Sequence, residues 1–587
     1  MNYENQLEVC AVYVSCLYYS ILLVLKKLYL SGTSEMRNQF AQNLLKSIIY
    51  MSSKKLFLRN VVSICLVGLF VYVGGLKAQS VKNQAIKYQN LLALIDAFYV
   101  DTVNLERLTE DAVVKVLAEL DPHSVYISKD EIQEMNEPLQ GSFSGIGIQF
   151  NILRDTLMVV ATIPGGPSEK VGLRAGDRIL KIDEENVAAI GLKNNDVRKK
   201  LRGDKGTLVS LVVKRKKEKG LIDFVITRDN IPIHSLDAAY MIGKQIGYVK
   251  LNRFSATTSE EFLEALIQLK AENMKDMILD LRGNGGGYMQ AAIEIVDQLF
   301  EPEQLIVYTK GLTTPRRENI STAKGIFKEG KVIVLIDEGS ASASEIVSGA
   351  IQDWDRGIIM GRRSFGKGLV QRQFPLSDGS MIRLTTAHYY TPTGRCIQKS
   401  YEKGLEDYHL DILNRYKSGE MISADSIHFP DSLKYNTLVE KRVVYGGGGI
   451  MPDIFIPIDT TANFKYFNLL VRKNVVYPFV VNYMDSNLGK LRSKYSRFED
   501  FDKNFEVSEE MLQEIVTMGE KEGIEKNEED YLASVSDLKL HIKALLARDL
   551  WESSEYYKVV NKSNDFIKKA LEVLSSPKIY HKELANE

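Results

Sequence analysis

A strand, a turn of small residues and a helix are predicted in succession between residues 331 and 354, and this arrangement constrains the fold more than any other stretch. Residues 331–336 are apolar and rich in β-branched side chains, which predicts a buried strand, and residues 345–354 predict a helix. In the turn between them, serine alternates with alanine, so a hydroxyl stands clear of its own backbone and beside the free amides of a helix N-terminus. The candidate hydroxyls belong to Ser340, Ser342 and Ser344.

A lysine flanked by glycines follows this turn. Lys367 lies between Gly366 and Gly368, after a second apolar stretch at residues 357–361. A serine on a tight turn together with one such lysine suggests a nucleophile and its base. The alternative interpretation is a serine-rich helix cap and a surface lysine, and the spacing alone does not decide between the two.

Basic and acidic residues are nearly equal in number, which bears on the kind of partner. The 587 residues include 75 Lys and Arg against 76 Asp and Glu, a net charge of −1, so nothing indicates a nucleic-acid partner. This length allows about three or four domains. The 4 cysteines are too few and too scattered for a disulfide framework, and no Cys/His cluster has zinc spacing, so we expect no metal.

The N-terminus carries two apolar segments. Residues 9–25 form an apolar run near the lower length limit for a transmembrane helix. Residues 51–78 combine a basic start, an apolar run at 61–73 and a terminal Ala78, which is the layout of a secretory signal peptide. We interpret residues 1–50 as an over-extended N-terminus and residues 51–78 as a signal peptide or an uncleaved membrane anchor. Both alternatives predict export, with the body of the protein in the periplasm.

The two motifs that follow the predicted strands, Ser-Ala-Ser-Ala-Ser-Glu at 340–345 and Phe-Gly-Lys-Gly-Leu-Val-Gln at 365–371, resemble those of the C-terminal processing peptidases, or tail-specific proteases. These are serine proteases with a Ser–Lys dyad. In that family the nucleophile precedes the lysine by 25 residues and a glutamine follows the lysine by four, as here. The resemblance, which covers roughly residues 80–456, therefore implies Ser342 as nucleophile, Lys367 as base and Gln371 as the residue that orients the lysine.

A glycine run after another predicted strand completes the resemblance. Residues 280–287 read Asp-Leu-Arg-Gly-Asn-Gly-Gly-Gly; no Gly-Lys-Ser/Thr follows, so a nucleotide-binding loop is excluded. In the family this motif supplies one amide of the oxyanion hole, which implies Gly286 or Gly287. The second amide is implied to come from Ala343, next to the nucleophile. The resemblance implies an acyl-enzyme intermediate and no cofactor.

Residues 140–232 alternate short strands with one or two helices and resemble a PDZ domain, including Gly-Leu-Arg-Ala-Gly-Asp at 172–177. PDZ domains add a peptide to a sheet edge and hold its terminal carboxylate with backbone amides. The loop that would do this contains Gly145, Ile146, Gly147 and Ile148, where glycines let amides converge on one anion. We therefore expect protein or peptide substrates with free C-terminal tails.

The expected architecture is multidomain α/β, with a crotonase-like mixed α/β protease core and an inserted PDZ domain. A helical extension follows, with a stripe of Leu538, Ile542, Leu545 and Leu546. We expect the extension to serve packing or self-association, with substrate gating as the alternative. The predicted order is 1–50, over-extended N-terminus; 51–78, signal peptide or anchor; 79–139, helical region; 140–232, PDZ domain; 233–456, peptidase core; and 457–587, helical extension.

Other functions compete with this interpretation. An inactive PDZ scaffold would not need Ser342, Lys367 and Gln371 together, and an acyl-CoA enzyme would share only the fold class. A Ser-His-Asp mechanism would need a histidine in the core, and His388 is the nearest candidate. His123, in the Leu-Asp-Pro-His-Ser stretch at 120–124, is interpreted as a structural turn residue.

Overall fold

A computed structural model describes residues 80–152, 155–163, 165–216, 218–459 and 464–585. The chain divides into two units, Met1–Ala112 and Val113–Glu587. The predicted over-extended N-terminus and the predicted signal peptide lie outside the described residues. Within the described ranges, every helix is too short or too polar to span a lipid bilayer.

The helices and strands are numbered here in chain order. The helices are α1 (80–98), α2 (Leu105–Ala118), α3 (Ile132–Gln140), α4 (Pro167–Lys170), α5 (Asn194–Leu201), α6 (Thr258–Ala271), α7 (Met289–Asp297), α8 (Ala343–Asp353), α9 (Leu405–Lys417), α10 (Lys465–Arg472), α11 (Val476–Lys494), α12 (Phe498–Asn504), α13 (Glu509–Lys521), α14 (Glu528–Leu550), α15 (Ser553–Val560), α16 (Asp565–Ser575) and α17 (Pro577–Ala585). The strands are β1 (Val125–Ile127), β2 (Ser142–Gly145), β3 (Ile148–Ile152), β4 (Leu157–Thr162), β5 (Arg178–Ile182), β6 (Glu185–Asn186), β7 (Leu208–Lys214), β8 (Ile222–Thr227), β9 (Asp229–Pro232), β10 (Leu236–Ile242), β11 (Ile246–Leu251), β12 (Asp276–Asp280), β13 (Leu305–Lys310), β14 (Arg317–Ile320), β15 (Val332–Ile336), β16 (Ile358–Gly361), β17 (Leu369–Pro375), β18 (Met381–Tyr390), β19 (Lys434–Asn436), β20 (Val443–Tyr445) and β21 (Ile454–Phe455).

A six-stranded sheet in the order β10-β11-β12-β15-β16-β21 forms the centre of the core. β10 and β11 are antiparallel, and every following pair is parallel. All five residues of β15 are buried, as its apolar sequence predicts for a parallel strand covered on both faces. Because β12, β15 and β16 are neighbours and run in the same direction, the loops that follow them meet at one edge of the sheet.

Helices cover both faces of this sheet. Apolar side chains of α6, α7 and α8 pack on one face, in a cluster that includes Phe262, Ile295 and Val347. The other face packs against α16 and α17, whose Val573 and Tyr580 are buried with it. The last two helices of the chain therefore complete the core of the sheet rather than standing apart from it.

A second sheet lies in the order β1-β18-β13-β14, with β17 paired to β18. Its longest strand is β18, with 10 residues. β1 follows the Leu-Asp-Pro-His-Ser turn and pairs with β18 from Val125 to Ile127. This pairing holds the turn beside the first residues of β18, Met381 to Arg383.

The region predicted as a PDZ domain contains the sheet β3-β4-β5-β7-β8, with β6 paired to β5. Its core includes Val159, Val197 and Leu211. β3 stands at the end of the strand order, so one of its edges carries no strand of this sheet. Such an edge is where a peptide adds as an extra strand.

Helices α10 to α15 form a further cluster with its own apolar core, which includes Phe479, Leu512 and Leu538. The predicted stripe on α14 is confirmed, since Leu538, Ile542, Leu545 and Leu546 are all buried. The charged stretch at residues 400–435 contains helix α9 and two short 3-10 turns, at Ala424–Ser426 and Asp431–Leu433.

Candidate active site

Ser342 lies at the tip of the turn between β15 and α8, one residue before the helix begins. Its φ of 55° and ψ of −110° are rarely adopted by residues other than glycine. Such strain persists only when the surrounding contacts determine the backbone, and it occurs mostly at functional sites. The turn therefore holds the Ser342 hydroxyl in a specific place at the carboxyl edge of the sheet.

The carboxylate of Glu345 supplies those contacts, and sequence reasoning did not single it out. One oxygen, Oε2, accepts hydrogen bonds from the amides of Ser342 at 2.7 Å and Lys367 at 2.9 Å. The other, Oε1, accepts from the amide of Gly366 at 2.7 Å and the hydroxyl of Ser364 at 2.5 Å. One fully buried side chain thus fastens the serine turn to the lysine loop. The Ser-x-x-Glu spacing of a capping box was the signal that could have indicated it.

The buried hydroxyl of Tyr389 makes a second link between the same two segments. Its oxygen lies 2.7 Å from the carbonyl oxygen of Lys367 and 3.1 Å from that of Ser342. Through these two contacts Tyr389 positions the serine turn and the lysine loop relative to each other.

The Lys367 side chain lies in a largely buried place. Burial lowers its pKa below the usual range, and the nearby Arg383 guanidinium lowers it further, whereas the carboxylates of Glu345 and Asp121 raise it. Loss of water penalises the ammonium form. The net direction favours the neutral amine that a general base requires.

No hydrogen bond between Ser342 Oγ and Lys367 Nζ is present among the described residues, and apo sites often tighten only when substrate binds. Gln371 Nε2 donates to Thr385 Oγ1 at 3.4 Å, and Thr385 Oγ1 in turn donates to Asp121 Oδ1 at 3.1 Å. The direct contact that the structure gives Gln371 is thus with Thr385, and its action on Lys367 stays a prediction.

The two glycines considered for the oxyanion hole have different environments. The amide of Gly286 donates to Asn284 Oδ1 at 2.9 Å. Within the described chain, the amides of Gly287 and Ala343 have no acceptor. A Cβ at Gly286 would lie 2.8 Å from Ser342 Cβ, and its φ is +96°. Gly286 is therefore needed for close approach to the serine, while the free amides of Gly287 and Ala343 are the available donors.

The interpretation of His123 as a turn residue agrees with its contacts. The carboxylate of Asp121 accepts from the amides of His123 at 2.8 Å and Ser124 at 2.9 Å, which closes the turn. The ring nitrogen Nε2 of His123 lies 2.8 Å from the Tyr408 hydroxyl. Burial lowers the pKa of His123 to about 4, and the positive charge of Lys367 lowers it as well. This histidine is neutral at pH 7 and lies within electrostatic range of the lysine.

His388 does not fit the competing Ser-His-Asp mechanism. Its ring nitrogen Nδ1 lies 3.8 Å from Cys396 Sγ, and its ring lies against Tyr390. Neighbouring residues on a strand point to opposite faces, and Tyr389 points toward Ser342 and Lys367. His388 therefore points away from the serine.

The loop predicted to bind a carboxylate connects β2 to β3. Gly145 ends β2, Ile148 begins β3, and the amides of Ile146 and Gly147 between them have no acceptor among the described residues. The carbonyl oxygens of the same two residues accept from Ser168 and Ile163. Gly147 has a φ of +71°, and a Cβ there would lie 2.9 Å from Ile231 Cδ1, so the loop requires glycine.

Comparison with known proteins agrees with this fold. Models of peptidase family S41 and of the PDZ domain match residues 245–407 and 158–215, and a family of unknown function (DUF8443) matches residues 466–552. The carboxy-terminal processing protease CtpB of Bacillus subtilis (strain 168) is 35% identical over 334 residues, which is 56% of this chain and 68% of that protein. A carboxy-terminal-processing protease of Bartonella bacilliformis is 34% identical, over 54% of this chain and 74% of its own length.

A solved structure, the photosystem II D1 C-terminal processing protease, is 30% identical and covers 52% of this chain and 82% of its own, with a TM-score of 0.30. The S41 core, the PDZ domain and the sequence relatives together define a serine-type peptidase, which is a hydrolase. The chain belongs to peptidase family S41, as a carboxy-terminal processing protease with a PDZ domain. The predicted family and fold class are confirmed.

Proposed function

We propose that this protein is an exported endopeptidase that recognises the free C-terminal tail of its substrate through the PDZ domain and cleaves with a Ser342–Lys367 dyad. The observation that carries the proposal is the buried Glu345 carboxylate, which binds the amides of Ser342 and Lys367 at 2.7 and 2.9 Å. A shared anchor of this kind keeps a nucleophile and its base in register, which is the main requirement of a two-residue catalytic unit.

In the proposed reaction, neutral Lys367 Nζ takes the proton of Ser342 Oγ while that oxygen attacks the peptide carbonyl carbon. Two backbone amides, of Ala343 and of Gly287, stabilise the oxyanion, since the amide of Gly286 already donates to Asn284; one such donor is typically worth about 3 kcal/mol. The lysine ammonium then gives its proton to the leaving amine nitrogen, and an ester of Ser342 remains. Neutral Lys367 next activates a water that hydrolyses the ester and restores the serine.

Tail recognition predicts a dependence on the terminal carboxylate. Amidating the C-terminus of an unstructured reporter protein or peptide removes its charge, so the free amides of Ile146 and Gly147 lose their anion. We expect the amide form to bind and be cleaved at least about tenfold less well, since hydrogen bonds to a charged group are worth roughly 1.5–3 kcal/mol. Cleavage and binding of the two forms by the wild-type chain, with Ser342→Ala as the inactive control, measure this. Equal values for the acid and amide forms would contradict the assignment of the loop.

We also propose export, supported by the signal-like layout of residues 51–78. The mature protein from the native host is expected to begin near Gln79 or to carry an intact membrane anchor, which N-terminal sequencing of the fractionated protein would show. A cytoplasmic protein that begins at Met1 would contradict export.

Self-association is proposed as well, on the exposed apolar side chains of α1, such as Leu94 and Phe98.

A further inference from the structure

A cavity of about 670 Å³ lies where the PDZ domain meets the helical extension at residues 457–587. One wall is formed by β3, from Ile148 to Asn151, and by Asn194 and Arg198 of α5. The other wall is formed by residues of the helical extension, among them Tyr477 and Arg548. The side of the PDZ domain that carries the open edge of β3 therefore faces a second surface of the same chain.

Contacts outside the cavity hold the two walls together. Lys216 Nζ of the PDZ domain lies 3.0 Å from Asp485 Oδ2 of α11. A Cβ at Gly176 would lie 3.2 Å from the other oxygen of Asp485, so the backbone of the PDZ domain approaches α11 closely. These contacts place the helical wall beside the peptide edge.

The Arg548 guanidinium is held in place at the cavity. It lies 5.0 Å from the centre of the Tyr477 ring, and its Nε and Nη2 both lie 2.9 Å from Asp549 Oδ1 in an ion pair. About a third of the side chain, 34%, is exposed, so the guanidinium can still reach a ligand. The ring contact and the ion pair engage Nε and Nη2, and they leave the Nη1 donors of the planar fork available.

The charge of the cavity favours an anionic ligand. Its lining residues, all of them described, include Arg198 from one wall and Arg548 from the other, and they include no aspartate or glutamate; Asp549, which pairs with Arg548, is not among them. The terminal carboxylate of a tail would already occupy the loop at Ile146 and Gly147. A second negative group on the same peptide would therefore find its partners in the two arginines.

We propose that the helical extension forms the second wall of the PDZ peptide groove, and that Arg548 together with Arg198 selects tails that carry an acidic side chain near their C-terminus. The inference rests on the proposed recognition of free C-termini and adds to it a substrate class. The helical extension thereby acts in substrate selection, in addition to its packing role.

Binding of tail peptides to the full chain with Ser342→Ala tests this. The peptides are about ten residues long, enough at roughly 3.3 Å per residue to run past β3, and carry glutamate or its isostere glutamine at each position in turn. We expect the best glutamate peptide to bind about fivefold more tightly than its glutamine partner, as for a partly exposed ion pair. The preference is expressed as the dissociation constant of the glutamine peptide divided by that of its glutamate partner. Arg548→Gln and Arg198→Gln should each lower this ratio toward one.

Two variants serve as matched controls. Arg548→Lys keeps the charge and should keep most of the preference, while Lys539→Gln removes an exposed charge of α14 outside the cavity and should not change it. If Arg548→Gln lowers the melting temperature, the test is instead the salt dependence of the glutamate preference in the Ser342→Ala chain that retains Arg548. An ion pair must weaken at high salt, so the preference should fall.

A ratio of one in the Ser342→Ala chain, a ratio unaffected by Arg548→Gln in a folded protein, or a ratio independent of salt would each overturn the proposal. Failure of tail recognition itself has a different signature, since acid and amide peptides would then bind equally whatever their acidic side chains. The two outcomes are therefore distinguishable in one set of titrations.

Discussion

Replacing Lys367 with arginine is expected to abolish proteolysis while leaving the chain folded. Arginine keeps a cation of similar length, but its guanidinium does not lose a proton at usable pH, so it cannot serve as a base. We expect cleavage of an unstructured reporter protein to fall at least about a thousandfold, as for Ser342→Ala. The double variant should be no worse than either single one, because the two residues act as one unit. Thermal unfolding would establish that the variant is folded.

The pH dependence of the wild-type chain belongs to the same prediction. Burial lowers the pKa of Lys367, and the reactive form is the neutral amine. Activity should therefore rise with pH through this lowered pKa, and below it should fall about tenfold for each pH unit. The rise is expected to begin below the usual lysine pKa of about 10.4.

The control is His388→Ala, because His388 points away from the serine and should leave turnover largely intact. Substantial activity of Lys367→Arg would remove the lysine from the role of base. Loss of activity in a folded His388→Ala variant would instead favour a histidine mechanism.

The location of the site was predictable because each of its loops follows an apolar, β-branched run. Residues 277–281 and 331–336 predict buried strands, and the structure has β12 at Asp276–Asp280 and β15 at Val332–Ile336. The glycine run and the serine turn follow them directly. Local sequence carries this information, since periodicity and turn residues are local properties.

Glu345 was hidden for a physical reason. A glutamate three residues after a serine at a helix start ordinarily indicates a capping box, which explains only the bond to the Ser342 amide. The bonds from Gly366 and Lys367 join segments about twenty residues apart, and depend on the order of β15 and β16 in the sheet. Sequence periodicity does not encode that order.

The packing position of α16 and α17 could not be predicted from the sequence either. The apolar stripe of α16 predicts that Ile567 and Val573 are buried, but a stripe does not say which surface it packs on. In the structure, α16 and α17 cover the second face of the central sheet. The hydroxyl of Tyr580 lies 3.2 Å from the carbonyl oxygen of Val332, directly below the strand that leads to the serine.

The largest combined effect on stability and activity is expected from Glu345→Gln. The carboxylate accepts four hydrogen bonds, two at each oxygen, from the groups that hold the serine turn and the lysine loop. Glutamine has the same shape but replaces one oxygen by an NH₂ group, so two buried donors face another donor. An unsatisfied buried group costs roughly 1–3 kcal/mol, and we expect the free energy of unfolding to fall by about 2–4 kcal/mol.

The variant should also change the pH profile in a definite direction. The negative charge of Glu345 raises the pKa of Lys367 against the effect of burial. Its removal disfavours the ammonium, so the pKa of Lys367 falls and the midpoint of the residual activity moves to lower pH. Turnover itself should drop, because the backbone of Ser342 loses the acceptor that keeps its strained conformation.

Glu338→Gln is the matched control for this prediction. Glu338 precedes the same turn and pairs with Arg362 at 2.8 Å, but 24% of its side chain is exposed, so its loss should cost about 1 kcal/mol or less. It should leave the pH midpoint in place. Denaturant unfolding and pH–rate profiles of the two variants measure both effects. If Glu345→Gln had the stability and the pH midpoint of the wild type, the carboxylate could not be what joins the serine turn to the lysine loop.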